Sequence, residues 1–205
     1  AIEPWLLGIA AEQALLWRRL PVVVHLTTSQ ARDPDLVAKV SAALTQTGLP
    51  PAGLELRMPV AAIRTDAGVL ADEGGAYAQD NLLVLADLGV GAGLYDFAGG
   101  IGGLRCVAEL PVHAVRVAPP IAQQVADDPS RLLSKAVHAL VHLVRDAGIN
   151  VIAHPVSSAE QAGCWQWVGA NWGVGALFGP PGPPENIERL RTAQPNGVNQ
   201  RPRRQ

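Results

Sequence analysis

The stretch LYDFAGGIGGL, Leu94 to Leu104, sets one carboxylate, Asp96, at the end of an apolar run and follows it with Gly99, Gly100, Gly102 and Gly103. Strand ends that open into glycine-rich loops are where α/β proteins hold ligands. Bare backbone N–H groups in such a loop can meet a phosphate. No helix-opening G-x-x-x-x-G-K follows, so the loop reads as a flexible segment that shapes a site. His138 and His142 stand four apart, as metal ligands on a helix can, but Ala139 stands where H-E-x-x-H needs its glutamate. They read as a solvated helix face. Cys106 and Cys164 lack a second Cys or His at metal spacing and read as buried packing residues. Trp165, Trp167 and Trp172 read as core and helix packing.

These residues need elements to position them. Ile2 to Arg19 reads as an apolar helix, and PVVVHLT (Pro21 to Thr27) as a β-branched strand. Asp33-Pro34-Asp35 starts a helix that Gly48, Pro50 and Pro51 stop near Thr47. GLELRMPV is the next strand, and a helix of uncertain start ends at Gly89. VGAGLYDF is a strand, GLRCVAEL a short helix or turn, and HAVRVAP a strand. DDPSRLLSKAVHALVHLVRDAG is a capped helix with Gly148 past its end. INVIAHPV is a strand, SSAEQAGCWQWVG a helix capped by Ser157 or Ser158, and GVGALFGPP a last short strand. Strands rich in Val, Ile and Leu that alternate with helices predict an α/β fold, a parallel sheet covered by helices. About six such units point to a barrel or an open doubly wound sheet.

The 205 residues carry a net charge of −2 with 17% charged and 48% hydrophobic residues. No basic field invites nucleic acid or an anionic membrane, and no apolar run reaches the length of a span. The cysteine usage fits a reducing cytoplasm. After Pro184 the composition turns polar, and 185–205 reads as a mobile tail.

Read in order, the segments resemble the EAL domain, the cyclic-di-GMP phosphodiesterase module of bacterial signalling, from the N-terminus to about Pro184. VVVHLTTSQARDPDLV is similar to V-N-L-S-x-x-Q-x-x-D-P-x-L, and TGLPPAGLELRM to T-G-L-P-P-x-x-L-E-L-E-I. LADLGVGAGLYDFAGGIGGL is similar to L-x-x-L-G-V-x-L-A-L-D-D-F-G-T-G-Y-S-S-L. ELPVHAVRVAPP, GINVIAHPVSSAEQ and GANWGVGALFGPP match the family's later words. The resemblance implies a modified TIM barrel with its site at the C-terminal strand ends. It also implies that the opening strands, with the signature glutamate, lie upstream of Ile2, so that 1–184 is expected to be a barrel incomplete at its N-terminus.

The family's hydrolysis uses two divalent cations, Mg or Mn, which need several hard oxygen ligands. Carried over residue by residue, the resemblance places His25 at the family's asparagine, Arg57 at a glutamate, Tyr95 at the first of two aspartates and Asp96 at the second. Arg116 takes the lysine's place, Ala118 that of the next aspartate, His154 and Ser157 those of two glutamates, and Val174 that of a glutamine. Only Asp96 keeps its residue type. A guanidinium offers no acceptor and repels a divalent ion, so Arg57 is expected to pair with Asp96 as a structural ion pair. No cofactor and no catalytic residue follow from this.

The expected function is a catalytically inactive, cytoplasmic regulatory domain. It would act by homodimer contact or on a neighbouring sensor or diguanylate cyclase domain. The alternative is a receptor that binds cyclic-di-GMP through Arg57, Tyr95, Asp96 and Arg116 without cleaving it. A third arrangement is a rebuilt phosphodiesterase site in which His25, Asp96 and His154 hold zinc or iron. Against it, Arg57 would sit beside the ion.

Overall fold

The computed structural model describes residues 4–17, 20–65, 67–127 and 132–186. Helix α1 (Pro4–Leu16) precedes strand β1 (Val22–His25). A short helix α2 (Thr28–Ala31) follows, opened by a capping box in which Thr27 and Gln30 satisfy each other's backbone N–H groups. Helix α3 (Leu36–Thr47) ends on left-handed Gly48. Strand β2 (Leu54–Pro59) runs into a one-turn helix α4 (Val60–Ile63) and then α5 (Glu73–Asp87), whose N-cap Asp72 accepts from the Gly75 N–H at 2.9 Å. Then come β3 (Gly91–Phe97), α6 (Ile101–Glu109), β4 (Ala114–Val117), α7 (Pro119–Asp127) and α8 (Leu132–Asp146). The described chain closes with β5 (Asn150–Ala153), α9 (Ala159–Val168), which Ser158 caps, and β6 (Trp172–Gly173).

The six strands are all parallel and stand in sequence order, β1-β2-β3-β4-β5-β6, curled into part of a barrel. Among the described residues β1 pairs only with β2 and β6 only with β5, so the sheet keeps two open edges. Side chains alternate across each strand. Leu56, Met58, Leu94, Val115 and Val151 form the outer row, each no more than 3% exposed, and pack with Val40, Leu82, Val137 and Val141 of the helices. The other row, Glu55, Arg57, Gly93, Tyr95 and Arg116, faces the concave side. The expected α/β barrel architecture is therefore present.

Several local expectations change. GGIGGL forms no flexible loop: Gly100 caps α6, and Gly102 and Gly103 lie inside that helix. A Cβ on Gly102 would stand 2.2 Å from the Thr65 carbonyl oxygen, so glycine is what lets α6 lie against the 64–65 backbone. The last strand is Trp172–Gly173, earlier and shorter than GVGALFGPP suggests. Its register is fixed by pairing with Ile152 and Ala153, and Ala176–Phe178 instead forms a 3₁₀ turn. Cys106 is buried as expected, whereas Cys164 is half-buried; neither forms a disulfide. Trp165 is core, but Trp167 is 53% exposed. The polar tail lies outside the described residues beyond Asn186. No helix among the described residues is long and apolar enough to cross a membrane.

Candidate functional site

The register aligns the concave row. His25 sits beside Arg57, Arg57 beside Gly93, and Gly93 beside Ala114. One step toward the strand ends, Tyr95 sits beside Pro59, while Arg116, Ile152 and Trp172 continue the row. A Cβ on Gly93 would lie 3.1 Å from Arg57 Cγ, so the missing side chain on β3 gives Arg57 its place.

Arg57 does not pair with Asp96. Its Nε donates to Glu55 Oε1 at 2.6 Å, two residues earlier on the same face of β2. Glu55 is 5% exposed, and its other oxygen, Oε2, lies 2.9 Å from His113 Nε2. Burial is the largest single influence on the Glu55 carboxyl and raises its pKa. The His113 hydrogen bond and the Arg57 charge together outweigh it and bring the value down to about 2. The carboxylate is thus committed on both oxygens to partners inside the barrel.

Above this chain, the Tyr95 hydroxyl donates to the Leu26 carbonyl at 2.7 Å and ties β3 to the end of β1. Its ring meets His25 edge-on, centroids 5.4 Å apart, and carries the Arg116 guanidinium 5.0 Å from its centroid. Arg116 Nε is buried and has no hydrogen-bond partner. Partial burial, then the charges of Arg116 and Arg57, hold the His25 pKa down to about 4, with Glu55 acting in the opposite sense. Near neutral pH the mouth therefore presents two guanidinium groups and a neutral imidazole.

The remaining expected positions stand apart. Asp96 lies where the β3–β4 register shifts between Leu94 and Phe97, at φ 56°, and is exposed. The bulge takes it out of the alternating row. Among the described residues its side chain makes no ion pair or hydrogen bond. His154 Nδ1–H donates to the Val174 carbonyl at 3.2 Å, so Val174 contributes backbone to the rim while its side chain is exposed. Ala118 is buried, and the Ser157 N–H donates to Gln161 Oε1 at 2.7 Å.

Two Mg or Mn ions need several converging anionic oxygens. Here the concave row offers Arg57, Arg116 and the already committed Glu55, with Asp96 at the rim. Among the described residues no three His, Cys, Asp or Glu side chains converge as a metal site. The residues present do not fit the pair of ions. The same geometry removes His25, Asp96 and His154 as a zinc or iron triad: His154 is turned to Val174, and His25 faces Tyr95 under two cations. Glu55 and His113 were not foreseen. The period-2 spacing of Glu55 and Arg57 on one strand face is the signal that could have revealed the first.

Comparison with known proteins agrees with this fold. The EAL domain model matches residues 1–181. Signaling protein YkoW of Bacillus subtilis is 24% identical over 200 residues, covering 95% of this chain and 24% of YkoW. MucR of Pseudomonas aeruginosa, a bifunctional diguanylate cyclase/cyclic di-GMP phosphodiesterase, is 27% identical over 194 residues, 91% of this chain and 26% of MucR. The solved PaMucR phosphodiesterase, in complex with c-di-GMP, superposes with a TM-score of 0.76 at 26% identity, over 90% of this chain and 72% of that one. The chain spans about a quarter of the length of YkoW and MucR.

Proposed function

This chain belongs to the EAL domain family, and on that premise we propose a regulatory domain of bacterial cyclic-di-GMP signalling that does not cleave the nucleotide. It acts by protein contact, as a homodimer or against a neighbouring sensor or diguanylate cyclase domain. The observation that carries this reading is Arg57. It occupies a strand position where the resemblance calls for an anionic ligand, and Glu55 holds it there at 2.6 Å. A guanidinium at this position offers a divalent ion no acceptor, and the Glu55 carboxylate it binds is no longer free to serve as one. The hydrophobic skeleton persists because packing maintains a fold independently of its site.

A second reading has its own support. Arg116 rests on Tyr95 with a buried Nε left unpaired, a donor suited to an anion. This is a receptor that holds cyclic-di-GMP intact. Calorimetric titration with cyclic-di-GMP, with and without Mg2+, separates the two. Absence of heat leaves contact signalling. Binding of intact nucleotide, weakened by Arg57→Ala and Arg116→Ala, makes the domain a receptor. Metal-dependent cleavage overturns both.

A further inference from the structure

Helices α8 and α9 bring three rings together on the outside of the barrel. His138 and His142 lie one turn apart on α8, their ring centroids 4.4 Å apart at 59°. The Trp167 indole of α9 also stacks on His138, at 4.8 Å and 28°. The face is therefore not simply solvated: His142 is exposed, but His138 is half-buried and in contact with two rings. Its Nδ1 is buried and has no hydrogen-bond partner. His142 Nε2 rests against Gly169, which ends α9, and Arg145 donates to the Gly169 carbonyl at 3.0 Å. The two helix ends are thus tied where the imidazoles meet.

This ring packing leaves His138 Nδ1 unsatisfied. A buried ring nitrogen without a partner is costly, and an ion is one of the standard explanations for such a group. We propose that His138 and His142 form a two-imidazole chelate for a late first-row divalent ion, Cu2+, Ni2+ or Zn2+. Two imidazoles that share one ion at about 2.0–2.1 Å and near a right angle have centroids about 4.5 Å apart, close to the separation seen. Imidazole nitrogen selects these ions over Mg and Mn, and adjacent nitrogens suit the tetragonal geometry of Cu2+ and Ni2+. The exposed His142 side leaves the remaining positions open to water. The site is independent of the barrel mouth and of its functional reading. An ion held there stabilises the α8–α9 seam because it binds the folded state.

The test is titration of the whole chain with Ni2+, followed by calorimetry and by tryptophan fluorescence. Saturable binding of one ion at micromolar concentration is expected, with quenching and a rise in melting temperature. His142→Gln, at an exposed position, weakens binding by at least about tenfold, since even supporting residues of metal sites are worth 10–100-fold. Trp167→Phe keeps the calorimetric binding and loses most of the quenching. Should His138→Gln fail to fold, His142→Gln and Trp167→Phe still decide. Non-saturable binding, or unchanged affinity in His142→Gln, would overturn the proposal and move any bound ion to His25, His113 or His154.

Discussion

Replacing Glu55 with Gln removes the charge between Arg57 and His113 while keeping a similar shape. The fall of the Glu55 pKa from 4.5 to about 2 corresponds to about 3 kcal/mol of stability at neutral pH, at about 1.4 kcal/mol per pH unit. The side chains are 7% and 11% exposed, so water screens the pair little. The sign follows from the depressed value. The folded carboxylate resists protonation more than the unfolded one does, so its contribution is complete above the ordinary carboxylate range. It is lost as pH falls from about 4.5 toward about 2. Urea unfolding of wild type and Glu55→Gln at pH 7 and pH 3 measures this. The variant is expected to be about 3 kcal/mol less stable at pH 7 and only about 1 kcal/mol less stable at pH 3, with m unchanged. Other depressed carboxyls, such as Asp33 held low by Lys39, cancel between the two proteins. A gap that stays constant across pH would refute the buried Glu55–Arg57–His113 chain.

Three further outcomes follow from the packing. Gly102→Ala gains helix propensity but drives a methyl group into the Thr65 carbonyl 2.2 Å away, so it lowers stability by about 1–3 kcal/mol in thermal unfolding. Asn81→Ala strips hydrogen bonds from the Ala31 and Asp33 carbonyls at 3.0 and 2.8 Å and costs about 2 kcal/mol in urea. Asp96→Asn leaves the melting temperature nearly unchanged, within about 0.5 kcal/mol, because Asp96 is exposed and unpaired; a large loss would restore the ion pair with Arg57.

The parallel order of strands was legible because β-branched runs such as VVVH and buried rows such as LELRM alternate with capped helices. Ser158 and Gly48 mark helix ends as their side-chain and backbone preferences dictate. Helix α6 was obscured because its glycines lower helix propensity, and only the close approach to Thr65 explains them. Helix α7 opens on Pro119-Pro120, a start signal that the neighbouring HAVRVAP strand masked. At the site, the resemblance alone set Arg57, Tyr95 and His154 at positions where the family carries anionic side chains. The partner of Arg57 could not be read from charge: Asp96 was the obvious anion, but a bulge carries it off the row, and Glu55 lies two positions away on the same face. His113 reaches Glu55 across β3, a contact with no sequence-local trace.

On the proposed reading, Arg57 and its neighbours do not support metal-dependent cleavage. The most direct measurement incubates the protein with cyclic-di-GMP and excess Mn2+ or Mg2+ and separates the products by chromatography. Intact cyclic nucleotide is the predicted result. Release of the linear dinucleotide at a rate proportional to enzyme concentration would contradict the account and require that other residues hold the ions.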